Sequence, residues 1–232
     1  MNLSLFKEEL EKLNIIPTEK QLEQLHKYFE LLVEYNKVMN LTGITEESEV
    51  YLKHFYDSIT LARVVDLNKV FNLCDIGTGA GFPGMVLKIM YPELEVTLVD
   101  SLNKRIEFLK VVIKELGLNK IEAIHARAEE YALKNREKFD VVTARAVASL
   151  NVLLEYSIPL AKINGYFVAM KGKLEDEDSN NALKVLSSRI ELIDNFLLPI
   201  ENSNRTLIKV RKEAKTASKY PRKFTEIKKK TL

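Results

Sequence analysis

Residues 70–84 read VFNLCDIGTGAGFPG, and this stretch decides the fold that the rest of the chain predicts. An apolar run ends in an aspartate, three glycines follow at alternate positions (Gly77, Gly79 and Gly81), and Pro83 opens a helix-like pattern. This order predicts a strand, a tight glycine turn and a helix N-terminus. Glycines permit positive φ and close approach of a ligand, and a helix N-terminus offers free N–H donors. A turn with a purely structural role is the alternative.

The same stretch also contains the pattern Gly-x-Gly-x-x-Gly, which is found in dinucleotide-binding proteins. In that fingerprint the first glycine directly follows the strand, whereas here the glycine in that position is Gly77. The sequence therefore reads better as Asp-x-Gly-x-Gly-x-Gly, and an NAD-dependent dehydrogenase remains the weaker interpretation.

Apolar runs alternate with helical patterns from residue 70 onward. The predicted strands cover 70–76, 95–100, 121–125, 139–144, 165–171, 190–198 and 205–211. The predicted helices lie near 83–90, 104–116, 129–134, 150–160 and 177–188. Such alternation predicts a parallel sheet, and the short last connection requires an antiparallel final pair. We therefore expect an α/β fold of the Rossmann-like class I methyltransferase type, with a seven-stranded, mostly parallel sheet and a C-terminal antiparallel hairpin.

The N-terminal residues read as helices, which gives three predicted regions: a helical extension (1–66), a methyltransferase domain (67–212) and a basic tail (213–232). A predicted helix at 48–65 carries His54, Asp57 and Ser58 at i, i+3 and i+4, which places them on one face. Either this face looks onto the glycine turn, or it is a polar face in contact with solvent.

Composition limits the class of protein. The chain has 232 residues, of which 46% are hydrophobic and 29% charged, and it has one cysteine. No apolar run approaches membrane-spanning length, and the first residues lack a signal-peptide layout. A single cysteine excludes an internal disulfide and a cysteine-based metal site. We expect a cytoplasmic protein without a metal or membrane partner, and a monomer because no apolar surplus is evident.

The charge is distributed unevenly along the chain. The formal net charge is +2, but residues 205–232 contain 11 Lys and Arg against 2 Asp and Glu. A basic end on an acidic body indicates a polyanionic partner. A solvated lysine-rich tail is the alternative.

Candidate site residues follow the predicted strands, because ligands of open parallel sheets bind beyond the carboxyl ends of the strands. Asp100 ends the second strand, where a carboxylate can hold a ribose diol, although capping the next helix is the alternative. Ala128 and Glu129 can line an adenine pocket after the third strand. Arg145 follows the fourth strand, where an unpaired charge is costly, and Lys171 ends the fifth. Together they predict a nucleoside site without the lysine loop of ATP-binding proteins.

The chain resembles a known family, RsmG (GidB), the bacterial methyltransferases that modify a guanine N7 in 16S ribosomal RNA. The resemblance covers nearly the whole chain and rests on eight motifs: Asn40-Leu41-Thr42, His54-x-x-Asp57-Ser58, residues 75–84, Asp100-Ser101, Arg127-Ala128-Glu129, Arg145-Ala146-Val147, Lys171-Gly172 and Tyr220-Pro221-Arg222-Lys223. One departure lies near the C-terminus. The family usually continues with glycine and proline turns, whereas Phe224-Thr225-Glu226-Ile227 stands here.

The resemblance implies S-adenosylmethionine as cofactor and 16S ribosomal RNA or the small ribosomal subunit as partner. The family's cofactor contacts fall on Gly77, Phe82, Ala128, Glu129 and Arg145, and we add four residues by position: Gly79, Gly81, Asp100 and Ser101. Arg145 or Lys171 is expected to hydrogen-bond the guanine O6, and Asp57 or Glu129 to offset charge. The expected RNA contacts are Lys104, Arg105, Lys173, Arg211, Lys212, Lys219, Arg222 and Lys223. A methyltransferase acting on a small molecule or protein is the alternative.

Overall fold

The computed structural model describes residues 1–145, 148–172 and 178–232 and has a seven-stranded sheet in the order β3-β2-β1-β4-β5-β7-β6. The strands are β1 (Asn72–Ile76), β2 (Glu95–Asp100), β3 (Ile121–His125), β4 (Phe139–Arg145), β5 (Ala161–Lys171), β6 (Ser188–Leu197) and β7 (Asn204–Lys212). The first five strands are mutually parallel, and β7 runs antiparallel to both β5 and β6. The predicted class of fold is confirmed, including the terminal hairpin.

The order of strands reverses at β1, which pairs with β2 on one side and β4 on the other. A crevice for a ligand opens at such a switch point, beyond the carboxyl ends of the strands. Because β7 runs the opposite way, its first residues lie at this same edge and its last residues lie at the far edge. Thr206 thus pairs with Lys171, whereas Arg211 pairs with Tyr166.

Helices cover both faces of the sheet. After the N-terminal region they are α5 (Gly84–Met90), α6 (Asn103–Glu115), α7 (Ala128–Lys134), α8 (Leu150–Ser157), α9 (Asn180–Val185) and α10 (Phe224–Lys229). Alternate strand residues point to opposite faces, so Leu73 belongs to one apolar core and Cys74 to the other. Burial of Cys74 agrees with its predicted place in the core. The predicted helix at 177–188 extends in part outside the described residues and contains α9.

The N-terminal region begins with α1 (Leu3–Glu11) and α2 (Glu19–Met39). Thr18 and Gln21 form a reciprocal capping box at the start of α2, and Asn40 ends this helix with φ of 50°. The apolar stripe of α2 joins the same core as α5, α6 and one face of the sheet. The domain boundaries near 66/67 and 212/213 stay a prediction.

The following helical segment, 47–63, changes its pitch along its length. It consists of α3 (Glu47–Glu49), a π-helical stretch (Val50–Tyr56), α4 (Asp57–Ile59) and a 3₁₀ turn (Thr60–Arg63), and a second 3₁₀ turn (Leu67–Lys69) precedes β1. Ser58 is fully buried and donates to the carbonyl oxygen of His54 at 2.5 Å. The hydroxyl of Ser58 is therefore used within its own helix, although the sequence spacing predicts that Ser58 shares a face with His54 and Asp57.

The C-terminal segment folds back onto the sheet domain. Arg136 donates hydrogen bonds to the carbonyl oxygens of Thr216, Ala217 and Tyr220. Thr216 and Tyr220 are buried. The segment is thus bound to the protein body along 216–220, and α10 follows it. Among the described helices, none is long and apolar enough to cross a membrane.

Candidate active site

The glycine turn after β1 has the backbone geometry that its sequence predicts. Gly77, Gly79 and Gly81 have φ of 68°, 62° and 105°, all in the left-handed region. A Cβ added to Gly81 would lie 2.5 Å from the hydroxyl of Tyr28, whereas one added to Gly79 would meet nothing within 4 Å. Gly81 is therefore required by its neighbours as well as by its φ, while Gly79 faces open space.

Asp75, at the end of β1, holds both ends of this turn. Its Oδ2 accepts hydrogen bonds from the hydroxyl of Thr78 (2.7 Å) and from the backbone N–H of Gly84 (2.8 Å), the first residue of α5. The carboxyl is fully buried, and this burial raises its pKa to about 6. Asp75 therefore stabilises the turn through hydrogen bonds to residues at its start and at its end.

Phe82 lies at the centre of an aromatic stack behind the turn. Its ring lies 4.4 Å from the ring of His54 and 5.4 Å from that of Tyr28, centroid to centroid. The guanidinium of Arg145 lies 5.3 Å from the same ring. Tyr28, fully buried, donates a hydrogen bond to the carbonyl oxygen of Ala80. Tyr28 is assigned to no site from the sequence, because its place in the apolar stripe of α2 carries no signal for a hydrogen bond to the glycine turn.

A first cavity of about 390 Å³ opens on one side of the glycine turn. Five of the predicted cofactor residues line it: Gly77, Asp100, Ser101, Ala128 and Glu129. Tyr156 of α8 and three residues of α10 (Phe224, Ile227 and Lys228) form walls that the sequence did not predict. The lining is mainly apolar with a few polar groups, as is usual for small-molecule sites.

Asp100 lines this cavity and is nearly fully buried. Its Oδ2 accepts from the backbone N–H of Gly79 (2.9 Å), and its Oδ1 accepts from that of Leu102 (2.9 Å). Arg105 donates to Oδ2 from Nη1 at 3.1 Å. The ion pair places the guanidinium of Arg105 within the cofactor region, and its contact with RNA stays a prediction because the side chain is 32% exposed.

A second cavity of about 430 Å³ lies on the other side of the turn. It shares Gly77, Asp100 and Ser101 with the first cavity, so the two form one cleft around the glycine turn. Its remaining lining consists of Leu41, Thr42, His54, Thr78, Gly79, Ala80, Phe82, Arg105 and Arg145. The motif at Asn40-Leu41-Thr42 thus reaches the cleft through two of its residues.

A third cavity of about 350 Å³ adjoins the second, with His54 and Arg145 in both linings. The other residues that line it are Ile44, Lys53, Asp57, Thr60, Met170, Lys171, Gly172, Phe196, Arg205 and Leu207. All three predicted catalytic residues (Arg145, Asp57 and Lys171) therefore lie at this cavity. Its walls carry more basic than acidic side chains.

Asp57 joins two arginines across the third cavity. Its Oδ2 accepts from Nη1 of Arg145 at 3.0 Å, and its Oδ1 accepts from Nε of Arg205 at 2.8 Å. Arg145 Nη1 also donates to the carbonyl oxygen of Lys53 at 3.0 Å. Both oxygens of the buried Asp57 carboxylate are thus engaged, so Asp57 orients the arginines rather than presenting a free charge.

Arg205 was not assigned to the site from the sequence. It lies at the start of β7, and the antiparallel direction of this strand brings it to the carboxyl edge of the parallel strands. The sequence did predict this direction from the short 199–204 connection. That direction was therefore the signal that could have identified Arg205.

His54 is a buried neutral imidazole between the second and third cavities. Its Nε2 lies 2.9 Å from the hydroxyl of Thr42, and its Nδ1 lies 3.4 Å from Nη2 of Arg145. Burial, and secondarily the charge of Arg145, lowers its pKa to about 3. Because arginine only donates, we assign Nδ1 as acceptor and the proton to Nε2.

Two of the predicted RNA contacts are used inside the protein. Lys212 is fully buried, donates to the carbonyl oxygen of Ala161 at 2.9 Å and lies 3.4 Å from Glu137. Arg222 donates to the fully buried Glu155 from Nε (2.8 Å) and Nη2 (2.6 Å). Burial contradicts the predicted RNA contact of Lys212, whereas that of Arg222, whose side chain is 22% exposed, stays a prediction.

The other predicted RNA contacts occupy different parts of the surface. Arg211, at the end of β7, donates to Asn164 at 3.0 Å and lies at the edge remote from the cleft. Lys104 is exposed and donates to the carbonyl oxygen of Met39 at 2.7 Å. Lys219 and Lys223 are exposed. Lys173 lies outside the described residues. Within the described part of the chain, no group of three or more His, Cys, Asp or Glu residues could hold a metal ion.

The order of strands and the glycine turn beside an acidic strand end define a Rossmann-like methyltransferase fold. A solved S-adenosylmethionine-dependent methyltransferase from Aquifex aeolicus has this fold, with a TM-score of 0.55 at 17% identity over 71% of this chain and 93% of that chain. A variant of MtNAS in complex with S-adenosylmethionine is similar in fold, with a TM-score of 0.56 at 18% identity over 91% of this chain and 78% of that chain.

Sequence similarity identifies the family. The chain belongs to the GidB family, described as rRNA small subunit methyltransferase G, which matches residues 21–212. A ribosomal RNA small subunit methyltransferase G from Exiguobacterium sp. is 53% identical over 228 residues, which is 96% of each chain. One from Bacillus velezensis is 49% identical over 228 residues, covering 96% of this chain and 95% of that protein.

Proposed function

We propose that this protein transfers a methyl group from S-adenosylmethionine to N7 of a guanine in 16S ribosomal RNA. The observation that carries the proposal is the continuity of the cleft. A nucleoside-sized cavity, the glycine turn and an arginine-rich cavity follow one another along a single edge of the sheet. Membership of the GidB family supports the same activity.

The cofactor fits the first two cavities by the chemistry of their linings. Gly79 leaves open space where a side chain would stand, and Asp100 offers a buried carboxylate to two ribose hydroxyls. Ala128 and Glu129 would hold the adenine, and Gly77, Gly81, Phe82 and Ser101 would complete the binding residues. When bound, S-adenosylmethionine supplies a methyl group on a positively charged sulfur.

The target guanine would enter from the third cavity. N7 carries a free lone pair, so no side chain has to act as a general base. Arg145 lines both the second and third cavities, and its guanidinium is held by Asp57 and the carbonyl oxygen of Lys53. It can therefore donate a hydrogen bond to guanine O6 from a fixed position. Proximity and prearranged electrostatics supply the rate enhancement.

Lys171 lines the third cavity and is our second candidate to contact guanine O6. Glu129 lies in the first cavity instead, so it would act on the cofactor rather than on the guanine. Asp57 contributes by fixing Arg145 and Arg205. The site proposed for the RNA base is therefore lined by the donors Arg145, Lys171 and Arg205, and the carboxylate of Asp57 is paired with the two arginines.

We further propose that the protein acts in the cytoplasm as a monomer, on 16S ribosomal RNA or the small subunit. The target base must leave its stack to reach the third cavity. Exposed lysines, among them Lys104, Lys219 and Lys223, would bind phosphates. Such binding should weaken as salt increases, because phosphate contacts release counterions.

Two experiments test the proposed function. Isothermal titration should detect binding of S-adenosylhomocysteine and not of NAD, and Asp100→Asn should weaken the former by about ten- to a hundredfold because hydrogen bonds to a charged group are lost. Glu107→Gln, on the exposed face of α6, is the matched control. Binding of NAD alone would overturn the cofactor assignment.

The second experiment concerns the RNA. Small subunits and ribosomal RNA from cells lacking the gene are incubated with the protein and a labelled methyl donor. Label on guanine that disappears with Arg145→Ala is the expected result. Label on a protein or a small molecule, with none on RNA, would establish the alternative class of substrate.

A further inference from the structure

The C-terminal helix α10 forms the outer wall of the first cavity. Phe224, Ile227 and Lys228 line this cavity, as do Gly77 and Asp100 from the strand ends of the sheet. Ile227 is only 1% exposed, although its helix carries three charged residues. A short basic helix thus places its apolar side against the cavity proposed for the nucleoside.

The start of α10 is positioned by strong contacts immediately before it. Arg222 donates its backbone N–H (2.8 Å) and two guanidinium nitrogens to the buried Glu155 of α8. The helix itself makes a further contact. The guanidinium of Arg127 lies 5.0 Å from the ring centroid of Phe224, and that ring is 40% exposed. Helix α10 is therefore anchored at its first end by Arg222, and the burial of Ile227 packs it against the cavity.

We propose that Phe224 and Ile227 bind the nucleoside part of the methyl donor and of its product, and that α10 is the movable wall that retains them. This inference rests on the proposed function. The two side chains supply apolar surface against which an adenine ring can pack, and Arg127, which also lines the cavity, contacts the ring of Phe224. Because α10 forms one wall of the first cavity, its position would influence how fast the product leaves.

The same helix had been interpreted as part of an RNA-binding tail, and its residues separate the two roles. Phe224 and Ile227 line the cavity, whereas Lys229 and Lys230 are exposed and lie outside its lining. Substitution of the first pair should therefore affect the nucleoside, and substitution of the second pair should affect only polyanion binding. The chain thus provides a matched control in the same C-terminal segment.

The test uses the full-length protein and its Phe224→Ala/Ile227→Ala and Lys229→Ala/Lys230→Ala variants. Titration with S-adenosylhomocysteine and with adenosine gives affinities, and stopped-flow displacement gives dissociation rates. We expect the apolar double variant to lose at least about tenfold in affinity for both ligands, on the scale of one buried apolar side chain. The loss should appear mainly as faster dissociation, and the lysine variant should match the wild type.

The outcomes are distinct. Wild-type affinity and dissociation rate in the apolar double variant would overturn this inference while leaving the proposed function intact, and so would a defect confined to RNA binding. Failure of the wild-type protein itself to bind S-adenosylhomocysteine would overturn both. Phe224→Ala alone removes a partly exposed ring, and it should accelerate dissociation without lowering the thermal midpoint, which separates the effect from misfolding.

Discussion

The N-terminal helices and the C-terminal segment both reach the cleft, but they are attached to it in different ways. Tyr28 of α2 is fully buried and donates to the carbonyl oxygen of Ala80 inside the glycine turn. Gln21 donates to the carbonyl oxygens of Ile89 and Met90 at the end of α5. The C-terminal segment is instead attached outside the cleft, through the hydrogen bonds of Arg136 and Arg222, and only α10 reaches the first cavity.

This difference indicates a division of roles. The N-terminal contacts are buried and join the sheet core, so they fix the shape of the glycine turn. Three residues of α10 line the first cavity, so by our proposal they retain the nucleoside bound there. Substitutions in the N-terminal helices should therefore mainly lower the free energy of unfolding. Substitutions in α10 should mainly increase the dissociation rate of the ligand.

The largest expected effect is at the contact between the N-terminal helices and the turn. Gly81→Ala should cost about 3 kcal/mol or more of unfolding free energy, because its Cβ would meet the Tyr28 hydroxyl and a leucine side chain. Gly79→Ala should cost about 1–2 kcal/mol, from the left-handed φ alone. Urea unfolding compares the two variants. Equal losses would show that α2 does not constrain the turn.

A second substitution tests the attachment of the C-terminal segment. Arg222→Met should lower the unfolding free energy by about 3 kcal/mol, because it leaves the buried Glu155 carboxylate without its partner. It should also accelerate loss of S-adenosylhomocysteine, since α10 is no longer anchored. Lys223→Met, at the exposed neighbouring position, is the control. Reduced RNA binding at unchanged stability would instead identify Arg222 as an RNA contact.

A smaller effect is expected when only one hydrogen bond to the turn is removed. Tyr28→Phe keeps the aromatic stack but leaves the Ala80 carbonyl oxygen without this donor, which should cost about 1–2 kcal/mol. Tyr35→Phe on the same helix should leave stability near that of the wild type. Affinity for S-adenosylhomocysteine should fall with Tyr28→Phe, and an unchanged affinity would argue against a role of α2 in ordering the turn.

The smallest effect concerns pH. The folded pKa of His54 is lowered to about 3, whereas an unfolded histidine titrates near 6.5, so the unfolded chain binds the extra proton between these values. The contribution of His54 is present above pH 6.5 and is lost as pH falls, by at most about 1.4 kcal/mol per pH unit. His54→Asn should reduce the slope of stability between pH 7 and pH 5. An unchanged slope would contradict a buried neutral imidazole.

Much of the fold could be predicted because its signals are local. Alternating apolar runs gave the seven strands, and the short connection before Arg205 gave the antiparallel direction of the last one. The glycine turn was evident because left-handed φ at alternate positions needs glycine. Strand register and irregular helix geometry could not be predicted, because they have no comparable local signal. The π-helical stretch (Val50–Tyr56) is an example, since its sequence reads as an ordinary helix.

The site was harder to predict because charge alone does not distinguish a ligand contact from an internal ion pair. Lys212 and Arg222 looked like phosphate contacts, yet both neutralise carboxylates of the protein. Arg105 pairs with Asp100. Phe224 and Ile227 lay where the sequence departs from the family's glycine and proline turns. A six-residue helix with few apolar positions gave no periodic signal.

Nucleoside mass spectrometry of 16S ribosomal RNA is the sharpest test of the proposed methyl transfer to guanine N7. Small subunits from cells lacking the gene are treated with the methyl donor and either the wild-type protein or Arg145→Ala, and the RNA is digested to nucleosides. We expect a gain of 7-methylguanosine in the RNA treated with the wild-type protein and none in the RNA treated with the variant. A methyl group on another atom or nucleoside, or no methylation of the RNA in any assembly state, would contradict it.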